Sequence, residues 1–160
     1  MTEEIKIRNL TLYDYTIVNR GYQTLHRQHV EGRPDIYKEM EDLLPKEVYQ
    51  EMLEDADHIL IGAEEGKRLT GFLVAKRKIT PANTMLHRNR TFFVDALFVE
   101  QDSRRKGIGK RLYEYLVSEA EKEECARIDL KVWDFNKEAR AFYQSMGFQI
   151  QSYNMEKKLI

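Results

Sequence analysis

The run Arg104-Arg105-Lys106-Gly107-Ile108-Gly109-Lys110 constrains this chain more than any other. It follows an apolar, strand-like stretch from Phe92 to Val99. It opens a stripe of Ile108, Leu112, Leu116 and Ala120 that repeats at helical spacing. Two glycines at a strand-to-helix turn let the backbone approach a ligand closely. The first N–H groups of the helix have no partner within it and carry the positive end of its dipole. Such a helix start binds phosphate. Basic side chains crowd the same turn, with Arg111 next in line. The stretch reads as a cradle for a polyphosphate; a Gly-rich turn with a solvated basic face is the plainer alternative.

Spacing excludes two familiar phosphate loops. A Walker loop needs a glycine where Arg104 stands and a Ser or Thr where Arg111 stands. Without that hydroxyl the usual magnesium ligand is missing, and nucleotide hydrolysis is not expected. A dinucleotide fingerprint needs a third glycine at Leu112. What remains is Arg/Gln-x-x-Gly-x-Gly/Ala, matched by Arg104, Gly107 and Gly109. This pattern resembles the acyl-CoA loop of the GNAT (GCN5-related N-acetyltransferase) family.

A second stretch adds to the resemblance. Ile128-Asp129-Leu130-Lys131-Val132 alternates like a strand, Asn136 follows, and Ala139, Phe142 and Tyr143 lead to Gly147-Phe148. This looks like the other half of the acetyltransferase signature, Asn-x-x-Ala-x-x-Phe-Tyr then Gly-Phe, in the right order. The two motifs cover roughly Phe92 to Phe148. The resemblance implies an α+β fold: a mixed, mostly antiparallel sheet of about seven strands, splayed in the middle, with about four helices. It implies acetyl-CoA as co-substrate, held by the turn from Arg104 through Arg105, Lys106, Gly107, Ile108 and Gly109 to Lys110. Leu97 and Val99 are then backbone partners of the pantetheine arm, and Asn136 and Tyr143 contact the cofactor.

The rest of the chain is consistent with one domain over residues 1–160. No linker, repeat or low-complexity tract divides it. Strands are expected at Ile5–Ile7, His58–Ala63, Leu69–Arg77, Thr91–Val99 and Ile128–Val132. Phe148–Tyr153 and Met155–Ile160 read as a closing pair. A helix capped by Thr11 or Asp14 is expected to run to about His29 and break at Gly32-Arg33-Pro34. An acidic helical region is expected from Ile36 to Asp55, interrupted near Pro45, and Gly147 is placed to end the last helix in a left-handed conformation. The near-neutral net charge argues against a general nucleic-acid binder. No apolar run is long enough to span a membrane, and no signal-peptide core follows Met1. The lone Cys125 forms neither an internal disulfide nor a metal cluster, so a cytoplasmic location and no metal are expected. A monomer or a homodimer both fit.

Acyl transfer to an amine sets the remaining requirements. The amine must lose a proton, since a lysine-type ammonium has a pKa of about 10.4, and a positioned base can take it. The leaving thiolate departs more easily if an acid protonates it. Tyr143 stands at the family's tyrosine position and is the candidate acid; its helical spacing also suits plain packing. Asp95, a carboxylate in the apolar run Phe93 to Val99, is the candidate base, directly or through water, or else it pairs with Arg88 or Arg90. Asn136 can serve as a helix cap. The acidic stretch between Glu31 and Asp57 would attract a cationic amine, or it is a solvated face. His26 and His29, one turn apart, could line an acceptor site with Tyr22 and Tyr37; two histidines alone are a poor metal site. The expected acceptor is a small cationic amine. A protein N-terminus or lysine, or no acceptor at all in a non-catalytic acyl-CoA sensor, are the alternatives.

Overall fold

The computed structural model describes residues 3–160. In chain order the elements are β1 (Ile5–Asn9), α1 (Tyr15–Gly32), α2 (Lys46–Glu54), β2 (His58–Glu65), β3 (Arg68–Thr80), β4 (Asn89–Val99), α3 (Ile108–Lys122), β5 (Arg127–Leu130) and α4 (Lys137–Ser145). The strands form one five-stranded sheet in the order β1-β2-β3-β4-β5. The first four are antiparallel neighbours, and β5 runs parallel to β4. The class is α+β.

Alternation along the strands sends side chains to two apolar layers. Ile59, Ile61 and Ala63 of β2 meet Leu73 and Ala75 of β3 on the face covered by α3. There Ile108, Leu112, Leu116 and Ala120 are all buried, as their helical spacing requires. A fully buried leucine contributes roughly 2 kcal/mol, so this one stripe anchors α3 firmly. On the opposite face Leu60, Phe72, Val74, Ala96 and Phe98 pack against Val18 of α1 and Tyr49 of α2.

β4 switches faces midway. Phe92 and Val94 belong to the α3 layer, whereas Ala96 and Phe98 belong to the α1–α2 layer. The register explains the switch: Val74 lies opposite Ala96 and Ala75 opposite Val94, leaving Asp95 with no partner on β3. Asp95 is thus the extra residue of a β-bulge.

Two expectations need correction. The acidic segment before Pro45 is not helical; only Lys46–Glu54 is. Gly32-Arg33-Pro34 breaks the chain, and side chains of α1 then capture the backbone carbonyls of the segment: Tyr15 Oη donates to Leu44 O (2.7 Å), Gln23 Nε2 to Glu41 O (2.5 Å), and His26 Nε2 meets Lys38 O at 2.7 Å. The sheet has five strands rather than about seven, because Phe148–Tyr153 and Met155–Ile160 form no ladder. That segment is held by side chains instead. Phe148 packs on the rings of Tyr113 and Tyr143, Gln151 reaches Asp129 at 3.4 Å, and Glu156 pairs with Arg33 at 2.9 Å.

The start of α1 is fixed by ions. Asp14 is buried and accepts two N–H bonds from Arg8 at 2.9 Å each and one from the Thr11 amide at 2.8 Å. Arg8 also reaches Glu64 on β2 at 2.6 Å. Burial by itself would raise the Asp14 pKa, but the bonds from Arg8 and Thr11 outweigh it and hold the carboxyl below its ordinary range. Asp14 therefore stabilises the fold above the unfolded carboxyl's pKa of about 3.9, and this stability is lost as pH falls through the lower folded value. Asp14→Ala leaves the half-buried Arg8 guanidinium with Glu64 alone and the Thr11 amide without its acceptor, and is expected to cost about 3 kcal/mol in urea unfolding at pH 7. The deficit relative to wild type should shrink as the titration is repeated toward pH 2.

Candidate active site

β4 and β5 pair only from Thr91 to Val94 against Arg127 to Leu130. From Asp95 to Val99 the β4 edge that faces β5's side has no strand beside it, while its other edge stays bound to β3. Leu97 and Val99 lie on this separated stretch. The Val99 carbonyl accepts from Arg104 Nε at 3.2 Å, which folds the following turn back on the strand end.

The turn continues into α3. Arg105 and Gly107 adopt left-handed backbones, with φ of 64° and 77°. A Cβ on Gly107 would stand in open space, so glycine is required there by its dihedral and not by crowding. The first bond of the helix is Arg111 N–H to Gly107 O at 3.0 Å. The amides of Ile108, Gly109 and Lys110 precede it and have no helical carbonyl to meet. A Cβ on Gly109 would lie 3.2 Å from the Phe142 ring, so this glycine admits α4 against the start of α3. Free amides, an open approach and nearby cations together fit a diphosphate. The basic side chains are unevenly disposed. Lys106 turns toward Glu65 at 3.4 Å and Lys110 toward Glu114 at 3.7 Å, while Arg104 and Arg105 are exposed at the turn. A cavity of about 480 Å³ lies behind the turn, lined by Glu65, Arg68, Asp102 and Lys106 among others. Two of its cations are already paired, Arg68 with Asp102 and Lys106 with Glu65, and its lining carries three carboxylates, so it suits a phosphate less well than the turn.

On α4, Asn136 Oδ1 accepts the Ala139 amide at 3.1 Å, the capping role its position suggests. Tyr143 is half-buried, edge-on to Phe142 and Phe148 at 5.3 and 5.5 Å between ring centres. Burial pushes its hydroxyl pKa up to about 12.

Asp95 forms no ion pair with Arg88 or Arg90; Arg90 instead donates to Glu123 O at 2.9 Å. The bulge turns Asp95 toward α1, where it and burial together raise the pKa of the Tyr22 hydroxyl. Asp95 itself has a raised pKa: burial is the main cause, opposed by the charges of His58, Lys78 and Lys76.

His26, His29 and Tyr37 are brought together. Tyr37 stacks on His29 at 5.1 Å and meets His26 edge-on at 6.0 Å. Burial and the neighbouring His26 lower the His29 pKa, which favours the neutral ring. His26 also anchors the 33–45 segment through the Lys38 carbonyl. His26 and His29 belong to one stripe of α1, Tyr15, Asn19, Tyr22, His26 and His29, spaced three and four apart. Sequence reasoning assigned no role to Trp133. Its indole N–H donates to Tyr37 Oη at 3.0 Å, and its ring stacks on Phe135 at 6.1 Å, so it joins the loop after β5 to the segment after α1. The only available signal was a large aromatic just past a strand end. Among the described residues no cluster of three or more His, Cys, Asp or Glu could hold a metal ion, and no helix is long and apolar enough to cross a membrane.

Known proteins resemble this chain in fold and in sequence. A point mutant of the BH1408 protein from Bacillus halodurans superposes with a TM-score of 0.93 at 29% identity, over 97% of this chain and 99% of that one. The spermine/spermidine N(1)-acetyltransferase of Bacillus subtilis is 31% identical over 78 residues, 46% of this chain and 51% of that protein. The L-ornithine N5-acetyltransferase of Arabidopsis thaliana is 36% identical over 59 residues, 37% of this chain and 26% of that protein. The chain thus spans about half the length of the first of these curated relatives and about a quarter of the second. The model of the acetyltransferase (GNAT) family matches residues 20–148. With the strand separation, the glycine turn and this match in hand, the chain belongs to the GNAT acetyltransferase family.

Proposed function

We propose that the chain is an acetyl-CoA-dependent N-acetyltransferase whose acceptor is a small amine carrying positive charge. One observation carries the reading: the free edge of β4 from Asp95 to Val99 runs directly into the unpartnered amides of Ile108, Gly109 and Lys110. An extended thioester arm and a diphosphate need those two features end to end. When bound, acetyl-CoA supplies the carbonyl carbon that the amine attacks.

The chain's own residues do the rest. The amides at the start of α3 hold the diphosphate, helped by Arg104 and Arg105. Leu97 and Val99 offer backbone groups to the arm, and Asn136 keeps α4 seated beside it. Asp95 takes the amine proton, directly or through a water. Tyr143, protonated throughout the neutral range because its pKa is near 12, gives its proton to the departing thiolate. Tyr22, His26, His29, Tyr37 and Trp133 line the acceptor side. The strap of residues 33–45, pinned to α1 and to Trp133, narrows the cleft and favours a small acceptor over a protein segment. Glu39, Glu41 and Asp42 on that strap attract a cation. Relatives named for spermine, spermidine and ornithine, all alkylamines, support the same substrate class.

Three outcomes are expected. Gly107→Val forces a β-branched residue into a left-handed backbone and should weaken coenzyme A binding at least tenfold in calorimetry, with the circular dichroism spectrum retained. Tyr143→Phe should lower kcat roughly 100-fold or more while coenzyme A affinity stays within a few-fold; unchanged kcat would make Tyr143 a packing residue. In wild type the acid limb of the kcat/KM profile should lie above the roughly 3.9 of an ordinary aspartate, and Asp95→Asn should flatten that limb.

A further inference from the structure

The α1–α2 face of the sheet is covered only over its inner part, where Leu60, Phe72, Val74, Ala96 and Phe98 lie. Beyond the last β2 pairing, at His58 and Lys76, β3 and β4 continue as a ribbon. Residues directly opposite in an antiparallel pair share a face. Lys76 lies opposite Phe93 and Lys78 opposite Thr91. Arg77, between the two lysines, packs over Phe92 in the α3 layer, so Lys76, Lys78 and Phe93 point the other way, to the face of α1 and Asp95. Lys78 Nζ sits 4.3 Å from the centre of the Phe93 ring. Neither lysine enters an ion pair among the described residues, although carboxylates take Lys106, Lys110 and Lys122 elsewhere.

An ammonium resting on an aromatic face is held in place but keeps its hydrogen-bonding capacity. A carboxylate offered at that point makes a stronger, charge-assisted bond. Phe93 is two strand residues from Asp95, about 7 Å along the chain. That is the reach of an aliphatic chain of about four carbons between an amine and a carboxyl group. After burial and His58, the charges of Lys78 and Lys76 also act on Asp95, as expected of groups on the same face of the ribbon.

We propose that Lys78, parked over Phe93 beside the bulge, is an acceptor-specificity residue that receives a carboxylate on the amine substrate. This rests on the acetyltransferase reading and sharpens it: the acceptor is amino-acid-like, a diamino acid whose side-chain amine meets Asp95 and whose carboxylate meets Lys78. Lys76 adds to the field, and the acidic strap takes the second ammonium.

The test uses matched acceptors that differ only by a carboxyl group, 1,4-diaminobutane against ornithine and 1,5-diaminopentane against lysine, with thiol release as the readout. Wild type should favour the carboxylated member of at least one pair about tenfold in kcat/KM. Lys78→Met keeps the stem over Phe93 and removes the charge. It should erase that preference through a raised KM for the amino acid rather than a lowered kcat. Lys78→Arg should restore most of it. Equal use of both members by wild type, a preference that survives in Lys78→Met, or turnover confined to plain amines or peptides would overturn the proposal and leave the acetyltransferase reading standing. Failure to turn over any amine or peptide, in protein that binds coenzyme A by calorimetry, would overturn both.

Discussion

A single unpaired residue governs how the two halves of this molecule meet. At Asp95 the β4 strand gains one residue over β3, and from that point its side chains exchange layers. At the same point β5 stops following it. The bulge increases local twist, and two parallel strands that no longer share a direction cannot keep a ladder. The carboxylate of Asp95 thereby escapes the apolar interior, where an unpaired charge would be costly, and stands at the mouth of the gap that its own backbone opens. Strand separation and placement of the acidic group are one event, not two.

In the proposed reading the gap has a donor side and an acceptor side, built by different means. The donor side relies on backbone: a left-handed glycine at position 107, amides before the first helical bond, and a glycine at 109 that lets Phe142 approach. The acceptor side relies on side chains from α1 and from the loop after β5, joined through Tyr37 and Trp133. Its orientation traces back to the Arg8–Asp14–Glu64 ions, which tie the entry of α1 to β1 and β2.

Local signals were legible in the sequence where a short-range rule decides the outcome. The α3 stripe from Ile108 to Ala120 is buried as its period demands. Gly147 occupies the left-handed conformation expected at the end of the last helix. Asn136 caps α4. Features set by distant partners were not legible. A bulge at Asp95 depends on the register of β3, and nothing in Phe93–Val99 marks it. The Ile36–Leu44 stretch has helix-forming acids and apolar residues at helical spacing (Ile36, Met40, Leu43), yet Ile36 and Met40 stay exposed, and the break at Gly32-Arg33-Pro34 and the grip of Tyr15, Gln23 and His26 prevail. Alternation beyond Phe148 suggested strands, yet a ladder needs a neighbour in register, and the segment is held by Phe148, Gln151 and Glu156 instead. Trp133 had no visible task until the fold brought Tyr37 to it.

The anchoring of residues 33–45 has an evolutionary corollary. Tyr15, Gln23 and His26 grasp main-chain oxygens, which every amino acid provides. Apart from Tyr37, which Trp133 holds, the route of the segment is therefore written in the helix, while the surface it presents outward is written in its own side chains. Those two inscriptions can drift apart without conflict. A lineage could exchange nearly every residue between Pro34 and Leu43 except Tyr37, and with them the chemistry of that surface, while the loop keeps the same path.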